Sequence, residues 1–189
     1  MPGTRPRIYL AGPEVFLPDP IAAGRAKVEL CAAAGFEGCY PLDAALVLDG
    51  LPKVEQARRI SLANEALMRS CDLLIANLTP FRGVSMDCGT AFEVGFMRAL
   101  GRPVLGYTNL LPEYRDRAVR FRADHGGWQD ADRPDVEIED FGLAENLMIE
   151  IAINESGASV VRTEVAGDHR LEDLAGFRIC LEQARALLL

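Results

Sequence analysis

The sequence is poor in the residues that mark disulfide-bonded and metal-binding proteins. It contains five cysteines, an odd number without a Cys-x-x-Cys pair, and only two histidines. A disulfide framework or a zinc site is therefore not expected, and reduced, mostly buried thiols suit this pattern better. The sequence predicts no metal centre.

Positive charge and long apolar runs are scarce as well. The chain has 20 Lys and Arg against 28 Asp and Glu, which gives a formal net charge of -8. Because nucleic-acid binding needs basic side chains that neutralise phosphates, we expect no nucleic-acid partner. No apolar run reaches the length that spans a membrane, and the N-terminus lacks the apolar core of a signal peptide. We therefore expect a cytoplasmic protein without a membrane partner.

What the sequence does contain is an alternation of strand and helix patterns along 189 residues. This length suits a single domain, which we place at residues 1–189. Short apolar segments predict buried parallel strands at 7–11, 38–42, 73–78, 103–107 and 158–163. Amphipathic segments predict helices at 20–34, 52–70, 88–100, 141–153 and 168–188.

The alternation predicts an α/β fold, namely a flavodoxin-like doubly wound parallel five-stranded sheet with the strand order 2-1-3-4-5. Residues 1–6 are expected to be a disordered lead. Residues 110–136 lack a clean period, and we interpret them as a long excursion or lid. Ligands in such folds bind at the carboxyl edge of the sheet, where the strand order reverses. Here that crevice lies between the first and third strands.

The unit that reaches this crevice carries the clearest chemical signal. Asp87 stands at the expected N-cap of the helix at 88–100, and Glu93 follows in its second turn on an otherwise apolar segment. Glu93 leans toward the helix N-terminus, over Gly89, which leaves open space. We expect the helix N-terminus to help keep Glu93 ionised. On spacing alone, an N-cap and a solvated glutamate would explain the pattern equally well.

Several segments together resemble the nucleoside 2-deoxyribosyltransferase family. The stretch Asp87-Cys-Gly-Thr-Ala-Phe-Glu93 is similar to the family signature, in which an aspartate precedes the nucleophilic glutamate by six residues. Further matches follow in family order and cover about residues 7–150. They are Ile8-Tyr-Leu-Ala-Gly-Pro-Glu-Val-Phe16, Tyr40-Pro-Leu-Asp43, Cys71-Asp-Leu-Leu-Ile-Ala-Asn-Leu-Thr-Pro-Phe-Arg-Gly83 and Phe141-Gly-Leu-Ala-Glu-Asn-Leu-Met148. The Phe-Arg-Gly loop resembles the purine-preferring class.

The resemblance implies a role for each candidate site residue. Glu93 would be the nucleophile, Tyr9 would orient it, and Asp87 would accept a hydrogen bond from the 5′-hydroxyl of the sugar. Where the broad-specificity class has an aspartate, this chain has asparagine, so the proton donor to the leaving base is left open between Asp43 and water. The residues expected to contact substrate are Gly12, Phe16, Asp43, Asn64, Gly89 and Asn146.

The activity that the resemblance implies is transfer of 2-deoxyribose between nucleobases, with purines preferred. It would proceed through a covalent deoxyribosyl-glutamate with retention of configuration. Expected partners are 2′-deoxynucleosides and free nucleobases, and no metal or organic cofactor is expected. The alternative on the same fold is hydrolysis of 2′-deoxynucleoside 5′-monophosphates. Asp87 would repel the phosphate dianion, whereas Arg82 and Ser85 favour this alternative.

Two non-enzymatic readings of the fold suit the residues less well. A flavin carrier needs a phosphate loop rich in hydroxyls and glycine, and the loop at 11–16 is poor in hydroxyls. A phospho-receiver needs an acidic pair after the first strand and an aspartate that ends the third. This chain has Glu14 and Asn77 instead.

The resemblance also implies a site shared between subunits. Asn146 lies on a segment that is similar to the family helix reaching into the neighbouring protomer. Leu143, Leu147, Met148 and Ile151 are apolar on more than one face of this segment. We therefore expect a homo-oligomer built from dimers, a hexamer as in the family. A core helix with Asn146 as a cap is the alternative from the residues themselves.

Overall fold

The protein is built around a parallel five-stranded sheet with the strand order β2-β1-β3-β4-β5. The structure, a computed structural model, describes residues 5–42, 46–124 and 135–188. The strands are β1 (Arg7–Ala11), β2 (Glu37–Cys39), β3 (Leu73–Asn77), β4 (Val104–Thr108) and β5 (Val161–Arg162). The predicted doubly wound fold and its strand order are thus confirmed.

Helices cover both faces of the sheet. Those of the described residues are α1 (Pro20–Ala33), α2 (Lys53–Arg69), α3 (Cys88–Ala99), α4 (Tyr114–Asp124), α5 (Leu147–Asn154) and α6 (Ala175–Leu188). None of the helices described is both long enough and apolar enough to span a membrane.

Alternate residues of the strands enter two separate cores, as the two-residue period of a strand requires. Ile8 and Leu10 of β1 pack in the core that α1 and α6 complete. Tyr9 and Ala11 pack in the core on the other face, which contains Val94 of α3. The phenol of Tyr9 is therefore directed toward the helix that carries Glu93.

Four segments differ from their predicted bounds. The second strand, predicted at 38–42, spans Glu37–Cys39, because only these three residues pair with β1. The helix predicted at 141–153 begins at Leu147, because Asn146 caps it and Gly142 has a φ of 70°, which no helix contains. The last strand has two residues instead of six, since only Val161 and Arg162 pair with β4. The helix predicted from residue 168 begins at Ala175, after a short 3-10 helix at Gly167–His169.

Two interpretations of surface segments are corrected as well. The amphipathic pattern at 52–70 predicts a buried face that includes Ile60, but Ile60 is 40% exposed, and Met68 is the buried residue of α2. The excursion expected at 110–136 contains α4, which presents no buried residue. Residues 125–134 of that excursion lie outside the described residues, as do residues 1–4 of the predicted lead.

Candidate active site

The site is built on a hydrogen bond between Tyr9 of β1 and Glu93 of α3. The Tyr9 hydroxyl donates to Oε1 of Glu93 over 2.6 Å, although the two residues are 84 positions apart in the chain. Burial and then the Glu93 charge raise the pKa of Tyr9 well above its ordinary value. The phenol therefore remains a donor near neutral pH and fixes the orientation of the carboxylate.

The sequence predicts that the helix N-terminus helps to keep Glu93 ionised. In the structure, other influences on this carboxylate are stronger and favour its protonated form. Burial is the main cause that raises its pKa to about 7. The Tyr9 hydrogen bond acts in the opposite direction, and the charges of Asp87 and Glu14 raise the pKa further. The group is thus close to half ionised at neutral pH. No described residue donates to Oε2, so this oxygen is free to meet a ligand.

Asp87 caps the helix that carries Glu93, as predicted. Its Oδ2 accepts from the backbone N of Thr90 at 3.1 Å and from Oγ1 of the same residue at 3.4 Å. A Cβ on Gly89 would lie 2.9 Å from Oδ2, so the glycine leaves room for the cap itself. Within the described part of the chain, Oδ1 accepts no hydrogen bond. One oxygen of Asp87 is therefore structural and the other is open to a ligand.

Two phenylalanines from neighbouring loops stack beside this crevice. Phe16 follows β1, Phe81 follows β3, and their ring centroids are 5.3 Å apart at an interplanar angle of 11°. The guanidinium of Arg82 lies over both rings, 5.0 Å and 4.6 Å from their centroids. Arg82 itself has a φ of 56°, an uncommon conformation for a residue with a side chain. The loops after β1 and β3 are thus joined by an aromatic contact.

Sequence reasoning missed a buried polar cluster behind the crevice. Glu14 is only 1% exposed as a residue, and its side chain forms an ion pair with Lys27. Its Oε1 also accepts from Asn77 at 2.9 Å and from the hydroxyl of Tyr107 at 3.2 Å. A Cβ on Gly12 would overlap Oε2 of Glu14. Gly12 therefore serves the close packing of this loop, which leads to Phe16.

The remaining predicted site residues are not joined to Glu93 by any hydrogen bond between described residues. Asn64 lies half-buried on α2, and no described residue bonds its side chain. Asp43 lies outside the described residues. Asn146 caps α5: its Oδ1 accepts from Met148 N at 3.0 Å, and its Nδ2 donates to Glu139 at 2.7 Å.

The crevice at Glu93 is distinct from a larger cavity between described residues. One of about 690 Å³ is enclosed by α4, the loop after β3 and the loop after β5, and its described lining includes none of the predicted site residues. Among the described residues, no three His, Cys, Asp or Glu side chains are arranged to hold a metal ion. The described side chains at the crevice supply two carboxylates, Asp87 and Glu93, and the phenol of Tyr9.

This arrangement of aspartate, glutamate and tyrosine agrees with the comparison of the sequence with protein families. Residues 8–148 match the profile of the nucleoside 2-deoxyribosyltransferase family. The chain belongs to this family. Family and fold together indicate a glycosyl-transferring enzyme with activity of the nucleoside deoxyribosyltransferase type.

Individual relatives span nearly the whole chain. An uncharacterized protein of Schizosaccharomyces pombe, C191.05c, is 36% identical in an alignment 171 residues long, which covers 82% of this chain and 80% of the relative. The structure resembles a 2-desoxiribosyltransferase from Leishmania mexicana with a TM-score of 0.59 and 28% identity, over 94% of this chain and 97% of the other. A conserved protein of Enterococcus faecalis has the same fold, with a TM-score of 0.57, 20% identity and coverage of 96% and 99%.

Proposed function

We propose that the protein transfers 2-deoxyribose from one nucleobase to another, with purines preferred, through a covalent bond to Glu93. The observation that carries this proposal is the state of the Glu93 carboxylate. Tyr9 holds Oε1 at 2.6 Å, and no described residue donates to Oε2. A carboxylate fixed at one oxygen and open at the other is suited to attack a carbon centre. The family to which the chain belongs provides the substrate class.

In the first step, Oε2 of Glu93 attacks C1′ of a 2′-deoxynucleoside. The N-glycosidic bond breaks, and its electron pair leaves with the base, which takes up a proton. The sugar passes through an oxocarbenium-like state, and a deoxyribosyl ester of Glu93 remains. The Tyr9 phenol stays protonated and donates throughout, so it positions the nucleophile and does not act as the base.

In the second step, a ring nitrogen of an acceptor base attacks C1′ from the face that the first base left. The bond to Glu93 breaks with its electron pair, the carboxylate is restored, and the acceptor releases its ring proton. Two inversions give net retention of the β configuration. When water takes the place of the acceptor base, the same intermediate is hydrolysed to free deoxyribose.

The protonation state of Glu93 limits the first step. Only the ionised carboxylate is a nucleophile, and burial raises the pKa of this group to about 7. Desolvation also makes the ionised form more reactive, because water no longer shields it. A proton for the leaving base comes from water or from Asp43, since Asn64 of α2 has no acidic proton to give.

The open oxygen of Asp87 suits the 5′-hydroxyl of a nucleoside. Oδ2 is held by Thr90 at the start of α3, which leaves Oδ1 to accept from the sugar. A neutral hydroxyl meets no repulsion from this carboxylate, and a 5′-phosphate dianion does. This contrast favours free nucleosides over nucleoside monophosphates.

The alternative, N-glycosidic cleavage of 2′-deoxynucleoside 5′-monophosphates, is favoured by one observation. The Arg82 guanidinium lies over the stacked rings of Phe16 and Phe81, in the loops after β1 and β3, and supplies a positive charge there. A phosphate on the substrate would find a cation there. Asp87 opposes this arrangement, because its negative charge at the start of α3 would repel the phosphate.

A second copy of the chain is part of the proposal. Phe92 of α3 is 57% exposed and Met148 of α5 is 72% exposed, on two helices that pack against each other. Ile151 of α5 is also exposed, at 45%. Asn146 caps α5 and uses one hydrogen of Nδ2 on Glu139, so the second hydrogen remains for a neighbour's site. A homo-oligomer built from such dimers, a hexamer, would share its sites between protomers.

The test is a comparison of base exchange with monophosphate cleavage. Deoxyinosine is incubated with adenine, and deoxyadenosine is quantified by liquid chromatography. Parallel reactions contain deoxyinosine monophosphate, and base release is measured. We expect exchange on the nucleoside to be faster than cleavage of the monophosphate. Cleavage of the monophosphate at an equal or higher rate would contradict the proposal.

Two variants make this comparison specific. Glu93→Ala removes the nucleophile and should abolish both reactions. Cys88→Ala is the matched control, because Cys88 is an exposed thiol at the first position of the same helix and is the competing nucleophile by position. It should retain exchange activity.

A further inference from the structure

Glu145 and the loop that leads to Asp87 form one hydrogen-bonded unit. The side chain of Glu145 is 1% exposed, yet its carboxylate accepts four hydrogen bonds. Oε1 accepts from Ser85 Oγ at 2.6 Å and from Asn146 N at 3.1 Å. Oε2 accepts from Met86 N at 3.2 Å and from the Arg117 guanidinium at 3.2 Å. Two of these donors are the residues immediately before Asp87.

Arg117 of α4 extends the unit to a third residue of the loop. Its Nε donates to the carbonyl of Val84 at 2.9 Å, and its NH1 group donates to the carbonyl of Pro112 at 2.8 Å. Three consecutive loop residues, Val84 to Met86, are therefore held by the Glu145–Arg117 pair. Burial raises the pKa of Glu145 and lowers that of Arg117, while their mutual contact acts against both changes.

Glu145 is itself held firmly by the helix that follows it. The backbone N of Ala144 donates to Glu150 at 2.6 Å, and that of Glu145 donates to the same carboxylate at 3.3 Å. Glu150 lies on α5, whose position is set by its packing on α3. The end of the loop is thus held in place by α5. The earlier loop residues Arg82 and Gly83 are exposed.

Asp87 is fixed from two sides. Thr90 of α3 holds Oδ2, and Glu145 holds the peptide N of the preceding residue, Met86. Loss of the second anchor would leave the Asp87 backbone free to rotate about its cap and would move Oδ1. A displacement of about 1 Å at a substrate contact is enough to lower a rate substantially.

We infer that Glu145 is a positioning residue which, together with Arg117, sets Asp87 to receive the 5′-hydroxyl of the nucleoside. The inference rests on the proposed function. It predicts that Glu145 matters only for substrates that carry a 5′-hydroxyl, whereas a residue that merely stabilises the fold would affect every substrate alike.

The experiment compares 2′-deoxyadenosine with 2′,5′-dideoxyadenosine in the wild type and in Glu145→Gln. An amide of equal size has one acceptor oxygen where the carboxylate has two, so at least one pair of donors loses its partner. We expect kcat/KM for 2′-deoxyadenosine to fall about tenfold, as for the loss of one charge-assisted hydrogen bond. The change on 2′,5′-dideoxyadenosine should be less than about twofold.

Three further variants complete the test. Glu145→Asp keeps two acceptor oxygens and should recover part of the loss on 2′-deoxyadenosine. Addition of Glu145→Gln to Asp87→Asn should lower kcat/KM for 2′-deoxyadenosine no further than Asp87→Asn does alone, because both changes act at one contact. Glu37→Gln removes an exposed ion pair with Arg7 at the opposite end of the strands and should leave both rates unchanged.

The outcomes separate this inference from the proposed function. Equal losses of Glu145→Gln on both substrates, or no loss on either, would overturn the positioning role while wild-type exchange stands. Absence of wild-type exchange on every nucleoside would refute the proposed function instead. Amide hydrogen exchange is the readout that needs no activity: Glu145→Gln should speed exchange in the peptide that contains Met86, and unchanged protection would contradict the anchoring.

Discussion

The hydroxyl of Tyr9 lies 2.6 Å from Oε1 of Glu93 and donates a hydrogen bond to it, which joins the first strand of the sheet to the helix after the third. The contact spans the point at which the strand order reverses, between β1 and β3. It holds a carboxylate whose burial raises its pKa to about 7. Orientation and protonation of the proposed nucleophile therefore depend on the same pair.

The pH dependence of exchange should report this pair. Because the ionised form of Glu93 attacks, kcat/KM should rise with pH through a limb near 7. Tyr9→Phe removes the hydrogen bond that lowers the pKa of Glu93, so the limb should move to higher pH. Rates are measured from about pH 5 to 9 for both proteins, a range that brackets the limb.

A matched control separates this effect from the loss of a buried hydroxyl in general. Tyr107→Phe removes a hydroxyl that donates to Glu14 on the other face of the sheet. Its limb should stay near that of the wild type. A wild-type limb at the ordinary pKa of a glutamate, or a limb at the same pH in Tyr9→Phe as in the wild type, would contradict the assignment.

Stability should depend on Glu93 with a defined sign. Its pKa is raised from 4.5 to about 7 in the folded protein, so the folded state binds the proton more tightly than the unfolded state. The contribution of the protonated group to the free energy of unfolding is complete below about pH 4.5 and is lost as pH rises through 7. Glu93→Gln stays neutral and avoids this loss.

Thermal or urea unfolding measures the difference. Glu93→Gln should match the wild type near pH 5 and exceed it near pH 8.5, by at most ~3 kcal/mol. Glu29→Gln, at an exposed position of α1, should show no such pH-dependent gain. A destabilised Glu93→Gln at pH 8.5 would show that the buried charge is not a cost.

Gly12 should be intolerant of any side chain. A Cβ there would overlap Oε2 of Glu14, whose Oε1 is already engaged with Lys27, Asn77 and Tyr107. Gly12→Ala should therefore lower the free energy of unfolding by about 1–3 kcal/mol, as overpacking does. Gly83→Ala is the control, because a Cβ there meets no atom within 4 Å. Equal stability of the two variants would mean that the buried cluster around Glu14 rearranges to accept the methyl group at little cost.

The strands and helices were predictable because each carries its own local apolar period. Their alternation along the chain in turn predicted the order of the strands. Asp87 and Glu93 could be proposed from the sequence for a similar reason, since one caps a short helix and the other lies in its second turn. Glu14 and Glu145 were not predicted. Glu14 pairs with Asn77, 63 positions away, and Glu145 pairs with Ser85, 60 positions away. No local sequence pattern predicts contacts between residues so far apart. The raised pKa of Glu93 was missed because burial, a tertiary effect, outweighs the helix N-terminus.

Sharing of the site between subunits can be tested by mixing inactive proteins. Glu93→Ala and Asn146→Ala should each lack exchange activity. After joint refolding, some sites would combine an intact Glu93 with a neighbour's intact Asn146, so part of the activity should return. Sedimentation should show the oligomer for each variant. No recovery despite proven mixed dimers, or full activity of a wild-type monomer, would contradict the shared site.

The covalent bond between Glu93 and the sugar is the central claim, and peptide mass spectrometry tests it most directly. The protein is incubated with a purine nucleoside of 2-deoxy-2-fluoroarabinose without acceptor base, because the fluorine destabilises the oxocarbenium-like state and slows release of the sugar. Digestion should yield the peptide containing Glu93 with the mass of one fluorinated sugar added, and addition of adenine should remove it. An adduct on Cys88, or turnover without any adduct on Glu93, would contradict the mechanism.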